Sequence, residues 1–444
     1  MPAVIPVNMT NAISAANFKS VFKPGDLRNQ ANVKAPVLDN ISIEEFLGAD
    51  FKYPMNLSMP TGAHPTKDGS RLWADTGVMD RWTVTDVAKQ YRTLTFDYET
   101  MARSRRDIGA YIDAKVREMQ DALNQFKTQL AIAFFKGKAG DLGQLVGSTP
   151  VAWVAGVSQT FTLRNPDDAK NFHRGQYVDL FSTRSVGGVQ RGNTPATQAW
   201  QVTSSDLVRG QIGLKISTGT MPTTTEMINN GSVVGGAGDF LFQKGCRNQY
   251  ANGLPELIPM DTANPTDDSA AVATALYGVT RSLDPQRTAG YRIDWKGSFL
   301  ETINETAMVA AVNGYIDPYT MYWLSPRSFK AFLQEAANLS QPPQIDAGYT
   351  AVLGVKVVKV VTPYGEIRVS YDPYMVNDKM YMIDMSAIKI LAIDGVLIKL
   401  IDEDGLTQVR LQSDDAFEMQ YRSMYQCICL SPGRCAVNNI PTLS

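Results

Sequence analysis

Histidine is nearly missing from this 444-residue chain, occurring only as His64 and His173. A Ser–His–Asp arrangement or a multi-histidine metal site therefore has almost no raw material, and both residues fall in turn-rich stretches that read as loops. Cysteine is scarce as well. Cys246, Cys427, Cys429 and Cys435 are too few for a disulfide scaffold in a chain this long, which makes a reducing compartment the expectation. No stretch reaches the run of about 18 apolar residues needed to cross a bilayer, and Met1-Pro-Ala-Val-Ile lacks the basic region and apolar block of a leader. The chain reads as soluble, with no membrane partner. Excess charge of one sign is also absent: 42 Lys and Arg stand against 44 Asp and Glu, a net of −2, a poor match for a surface that grips phosphate throughout.

The remaining motifs have structural explanations. Cys427 and Cys429, two apart on a strand, point the same way without the Cys-x-x-Cys spacing that wraps one ion, so with Cys435 they read as inert thiols. Asp402-Glu-Asp-Gly405 lacks the alternating ligands and distal glutamate of a calcium loop and suits a hairpin turn. Gly235-Gly-Ala-Gly238 precedes Asp239-Phe-Leu-Phe, a strand and not the helix start a phosphate loop needs. An enzyme built on Asp294, Asp317 and Asp372 is one alternative, but nothing spaces these carboxylates into a pair. No catalytic, cofactor-binding or metal-binding residue is assigned, and no cofactor is expected.

What is present is globular: 44% apolar and 19% charged residues, in a chain long enough for two or three packed units. The first fifty residues are polar except for Phe18, Val21 and Phe22, and must lie along another surface to be ordered. Strand-like alternation from Tyr53 to Asp97, with Trp82-Thr-Val84 and Tyr91-Arg-Thr-Leu94-Thr-Phe96 around a turn-rich His64–Gly69, predicts a long two-stranded excursion. Ile108, Ile112, Val116, Met119, Leu123, Phe126, Leu130 and Phe134 recur at steps of three and four, predicting a helix over about 103–136, on the order of 50 Å long, stopped by Gly137. Residues 143–245 change to short β-rich runs, as in a small all-β sandwich or barrel. Met260–Ser269 reads as an exposed connector. Beyond it come a helix around Leu300–Ala311, a strand at Met321–Leu324, a helix opened by Ser325-Pro326, strands at Val355–Val361, Glu366–Tyr371 and Met380–Asp384, a hairpin of Val396–Ile401 with Leu406–Leu411, and a last strand at Phe417–Leu430.

That order, together with the tail Asp415-Ala-Phe-Glu-Met-Gln-Tyr-Arg-Ser-Met-Tyr-Gln-Cys-Ile-Cys-Leu-Ser-Pro-Gly, resembles the major capsid proteins of tailed bacteriophages, the Hong Kong 97-like fold. The resemblance implies an α+β fold divided into an N-terminal arm (1–50), an extended β loop (51–98), a peripheral domain with a spine helix (99–142), an inserted β-rich domain (143–255), a connector (256–294), an axial domain (295–395) and a return to the peripheral domain (396–444). Minimal members lack the insertion; Gly253-Leu254 and Tyr277-Gly-Val-Thr-Arg281 look like the return from it in larger relatives. The implied function is self-assembly into hexameric and pentameric capsomers of an icosahedral head enclosing double-stranded DNA without sequence-specific binding. Partners would be further copies of the chain, a separate scaffolding protein, since no charged coiled-coil segment precedes residue 40, a portal and a decoration protein. The location would be the virion, and the host cytoplasm during assembly. Lys67 at the loop tip is a candidate inter-subunit contact. So are Arg103, Arg105 and Arg106, cations at a helix start where the macrodipole disfavours them and carboxylates of a neighbour would compensate. An encapsulin-type shell and a tail-tube protein are the other assembling classes the sequence admits.

Overall fold

The computed structural model describes residues 35–46, 48–56, 79–97, 108–146, 158–184, 190, 200–216, 238–260, 272, 275–312, 320–338, 344–345, 356–393, 395–401, 409–410 and 416–441. The N-terminal arm before residue 35, the loop centre at 57–78, the connector stretch 261–271 and the turn at 402–408 lie outside them.

The fourteen-residue strand Ala416–Cys429 organises the first sheet. One edge pairs antiparallel with Ala88–Asp97 along ten residues, from Ala416 opposite Asp97 to Tyr425 opposite Ala88. The other edge takes Ile388–Ala392, Lys399–Leu400 and Val409–Arg410 in turn, and Ser42–Glu45 adds in parallel to Ile388–Ala392. Met419, Tyr421, Ser423 and Tyr425 alternate inward, and then Gln426 to Cys429 are buried without alternation, the pattern of a strand covered on both faces. Two expectations change here. Among the described residues the ribbon is formed by Phe51–Asn56 and Met79–Val84, while Ala88–Asp97, expected in the excursion, belongs to the closing sheet. Val396–Ile401 and Leu406–Leu411 do not show a hairpin ladder among the described residues; Lys399–Leu400 and Val409–Arg410 each pair with the closing strand, which offers both a partner already fixed in the core. The ribbon's base packs into its own subunit, with Met55, Trp82 and Val84 buried against Leu391, Ile428 and Val279.

The long helix spans Ile108–Lys136. Gly137 ends it with φ +77°, and a Cβ there would stand 2.2 Å from a Glu256 carboxylate oxygen, so only glycine fits. Phe126, Leu130 and Phe134 are buried as the periodicity requires, but so are Ala131, Ile132, Ala133 and Phe135: the C-terminal end is surrounded. Leu130, Phe134 and Phe135 pack into the main core, whereas Ile132 enters a second one.

That second core fills the insertion. Strands Asp141–Gln144, Phe240–Gln243, Tyr177–Phe181, Trp200–Asp206, Gln211–Ile216 and Gln159–Thr162 neighbour one another in that order, and an antiparallel bridge between Leu145 and Leu163 joins the first to the last. Val146 N–H to Thr162 O at 2.9 Å and Arg164 N–H to Gln144 O at 2.7 Å complete the seam. Among the described residues the sheet is a closed six-stranded barrel, its interior filled by Leu145, Leu163, Leu180, Ile212, Leu214 and Leu241.

The third unit is a seven-stranded mixed sheet in the order Tyr291–Ile293, Ala436–Asn439, Lys379–Asp384, Thr320–Leu324, Gly365–Tyr371, Val358–Thr362, Gln344–Ile345. Its central strands alternate between two cores: Tyr322, Leu324, Met380 and Met382 face helices Phe299–Val312 and Pro326–Ala337, while Met321, Trp323, Tyr381 and Ile383 face the core of the long helix. Ser325 caps the second helix, accepting from Ser328 N–H at 3.2 Å, with Pro326 at its first position. The boundaries expected at 295–395 and 396–444 are crossed in both directions. Ile388–Ala392 lies in the closing-strand sheet, and Ala436–Asn439 ends the chain inside this one. The stretch 256–294 is also more than a linker, because Leu257, Ile258, Val279 and Ala289 are buried.

Phe126→Asp places a charge in the closed core and should cost on the order of 4 kcal/mol or more, enough to remove the cooperative melt. Leu123 is half-buried, and Leu123→Asp should leave a folded subunit; circular dichroism melts of both variants check the difference.

Candidate assembly surfaces and a buried ionic junction

The cysteines sit in apolar surroundings. Cys427, Cys429 and Cys435 are buried in the main core, burial pushes the Cys427 thiol up to about 12, and Cys429 is raised first by its hydrogen bond with Cys435 and then by burial. Surroundings of this kind keep the thiolate fraction of Cys427 and Cys429 small. His173 is exposed, and no cluster of three His, Cys, Asp or Glu suited to a metal occurs among the described residues. Of the carboxylates considered for an enzyme, Asp294 accepts from Trp295 N–H at 2.8 Å, and Asp372 from Tyr374 N–H at 2.8 Å and Val37 N–H at 3.2 Å. Each serves its local backbone. Asp317, Lys67, Arg103, Arg105 and Arg106 lie outside the described residues.

Where helix, barrel and mixed sheet meet, charge is buried. Lys136 Nζ lies 2.8 Å from Asp168 Oδ2 and 3.8 Å from Asp141 Oδ2, and donates to Leu142 O at 3.0 Å. Arg184 Nε stands 2.7 Å from Asp141 Oδ1. Burial raises the Asp168 carboxyl and Lys136 opposes that shift; burial lowers the Lys170 ammonium and Asp168 opposes it. A buried network of this kind contributes little net stability, but removing one partner strands the other, so it fixes geometry. The helix Pro326–Ala337 and the loop after Tyr371 clasp the barrel: from the helix Arg327 Nε meets Asp167 Oδ1 at 2.7 Å, and from the loop Asn377 Nδ2 donates to Asn165 Oδ1 at 2.6 Å and the Tyr374 ring lies under Lys170 at 5.2 Å. The Tyr277 segment ties the chain leaving the barrel to the closing strand. Its hydroxyl donates to Cys427 O at 2.5 Å and accepts from Asn252 Nδ2 at 3.0 Å, and Arg281 donates to Glu256 O at 2.7 Å. In the sequence the available signal is a lysine, Lys136, between the apolar run Ala131–Phe135 and the glycine stop. Nothing in the sequence pairs it with Asp168, 32 residues on.

Residues 296–425 match the family model described as SU10 major capsid protein. Over those residues the chain is similar to a major capsid protein of the tailed-phage kind. Among solved structures the chain is similar to the cyanophage A-1(L) capsid asymmetric unit, at 10% identity with TM-score 0.50, over 96% of this chain and 97% of that one. It is also similar to the capsid of the empty GTA particle, at 9% identity with TM-score 0.45 over 97% of each chain. No curated protein sequence matches it. The fold shared over nearly the whole length is the Hong Kong 97-like one, with the barrel inserted after the spine helix. The chain exposes apolar side chains at several turns and strand ends: Val208 at 89% and Leu207 at 56% on a barrel turn, Val361 at 71% near one end of the mixed sheet, and Met79 at 67% at the start of its ribbon strand. Asp206 Oδ1 accepts from Val208 and Arg209 N–H and fixes the barrel turn.

Burial pushes the Asp372 carboxyl up to about 6, against the opposing effect of its two backbone donors. The folded chain takes up this proton near pH 6 and the unfolded chain near 4. The contribution of the neutral acid is therefore complete below about 4 and lost as pH rises through 6. Between pH 7 and pH 5 the native protein should gain about 1 kcal/mol relative to Asp372→Asn, as read from urea unfolding of both at the two values.

Proposed function

We propose that this subunit builds the hexameric and pentameric capsomers of an icosahedral head around double-stranded DNA, and that it acts through geometry without catalysing a reaction. The observation that carries this reading is the family match over 296–425, which falls on the mixed sheet, its two helices and most of the closing strand. In this reading the mixed-sheet unit, about 295–395, is the axial domain that meets its copies at the capsomer centre. The arm (1–50), the loop (51–98), the peripheral (99–142 and 396–444) and inserted (143–255) regions and the connector (256–294) surround it. Many modest contacts closed at once make a shell stable. Lys67, Arg103, Arg105 and Arg106 are proposed to contact neighbouring subunits. A separate scaffolding protein, a portal and a decoration protein are the further partners. A net charge of −2 suits an inner wall that confines DNA without gripping it. Assembly would take place in the host cytoplasm and the product would be the virion shell.

The ribbon base is held by buried Met55, Trp82 and Val84, so shortening the loop beyond it should leave the subunit intact. Replacing residues 62–70 with a short Gly-Ser turn is expected to preserve the cooperative melt while closed shells give way to capsomers in a sedimentation profile and by electron microscopy. Wild-type particle yield would remove the loop from the lattice, and loss of the melt would place it in the subunit's own core.

A further inference from the structure

Beside the ionic junction lies a cavity of about 140 Å3 between the end of the spine helix, the barrel and the axial sheet. A water needs about 10–15 Å3 of such space, so a small polyatomic ion fits. Four cations line it: Lys136, Arg164, Arg184 and Lys379. Lys136 and Arg184 are matched by Asp168 and Asp141. Arg164 donates to the amide oxygen of Gln144 at 3.1 Å, and among the described residues neither Arg164 nor Lys379 has a carboxylate in salt-bridge contact. Asp378 also lines the cavity, which leaves one positive charge in excess. Glu256 lies behind Arg184 and Lys379, but its carboxylate already accepts from Gly253 N–H at 2.9 Å and Lys138 N–H at 3.1 Å. The independent observation is Tyr381: it is fully buried, it lines the cavity, and its hydroxyl has no hydrogen-bond partner.

We propose that this cavity binds a small oxyanion of the phosphate or sulfate class, held by the Lys379 ammonium, the Arg164 guanidinium and the Tyr381 hydroxyl. An unmatched ammonium and a buried hydroxyl without a partner are both costly, and one tetrahedral anion offers acceptors to each. Burial lowers the Lys379 ammonium from its ordinary value, and a bound anion reverses that. Because Lys379 and Tyr381 belong to the axial sheet and Arg164 to the barrel, the ion would tie the two units together.

The test is calorimetric titration of the full-length protein, purified without phosphate or sulfate, with sodium phosphate and with sodium chloride at equal ionic strength. Saturable binding near one phosphate per chain, with a raised melting temperature and no such response to chloride, is the expected result. Tyr381→Phe removes only the unpartnered hydroxyl, so it should melt normally in chloride and bind phosphate about tenfold more weakly. Arg164→Gln, at an exposed position, should weaken binding as well. Equal responses to phosphate and chloride, no saturable heat, or unchanged affinity in both variants would each overturn the proposal.

Discussion

The lysine ammonium at the end of the spine helix fixes how the parts of this subunit meet. Lys136 is 5% exposed and reaches the Asp168 carboxylate, and that contact exists only when the barrel lies against the helix end. Because an unmatched buried charge costs several kcal/mol, the helix cannot slide or rotate relative to the barrel without a large penalty. Ile132, one turn earlier, enters the barrel core while its neighbours Leu130 and Phe134 stay in the main core. The helix end is a wedge between two hydrophobic interiors, and the clasp from Asn165 and Asp167 to Asn377 and Arg327 completes the same junction from the axial side.

What the sequence revealed was local. The three-and-four spacing of apolar residues located the spine helix, and Ser325-Pro326 located a helix start, because both signals act within a few residues. Pairing across the chain was not legible. The alternation at Tyr91–Phe96 marks a strand correctly, but it cannot say whether its partner is Met79–Val84 nearby or Ala416–Cys429, more than 300 residues away. The composition of 143–245 indicated short strands, but barrel closure depends on Leu145 meeting Leu163, a register that no propensity encodes. The buried charges were invisible for the same reason: a lysine in a helix and an aspartate in a loop become a site only once the fold brings them together.

The likeness to the cyanophage capsid at 10% identity has a physical basis in this architecture. A strand that needs only inward apolar residues at every second position, and a sheet whose two faces each need only to be apolar, admit many side chains of similar volume. The narrower demands are few: a glycine at 137, where a Glu256 carboxylate occupies the place of a Cβ, and matched charges at the junction.

The closing strand also sets the time at which a subunit comes into being. Its ten-residue ladder with Ala88–Asp97 and the insertion of Ala436–Asn439 beside Tyr291–Ile293 both use segments that leave the ribosome long after their partners. At about 5–20 residues per second, Ala88–Asp97 waits tens of seconds for its partner, and the central strand of the first sheet is missing throughout that interval. A nascent chain thus holds Ala88–Asp97 without the strand that orders its sheet, and the first sheet completes only once Ala416–Cys429 has emerged.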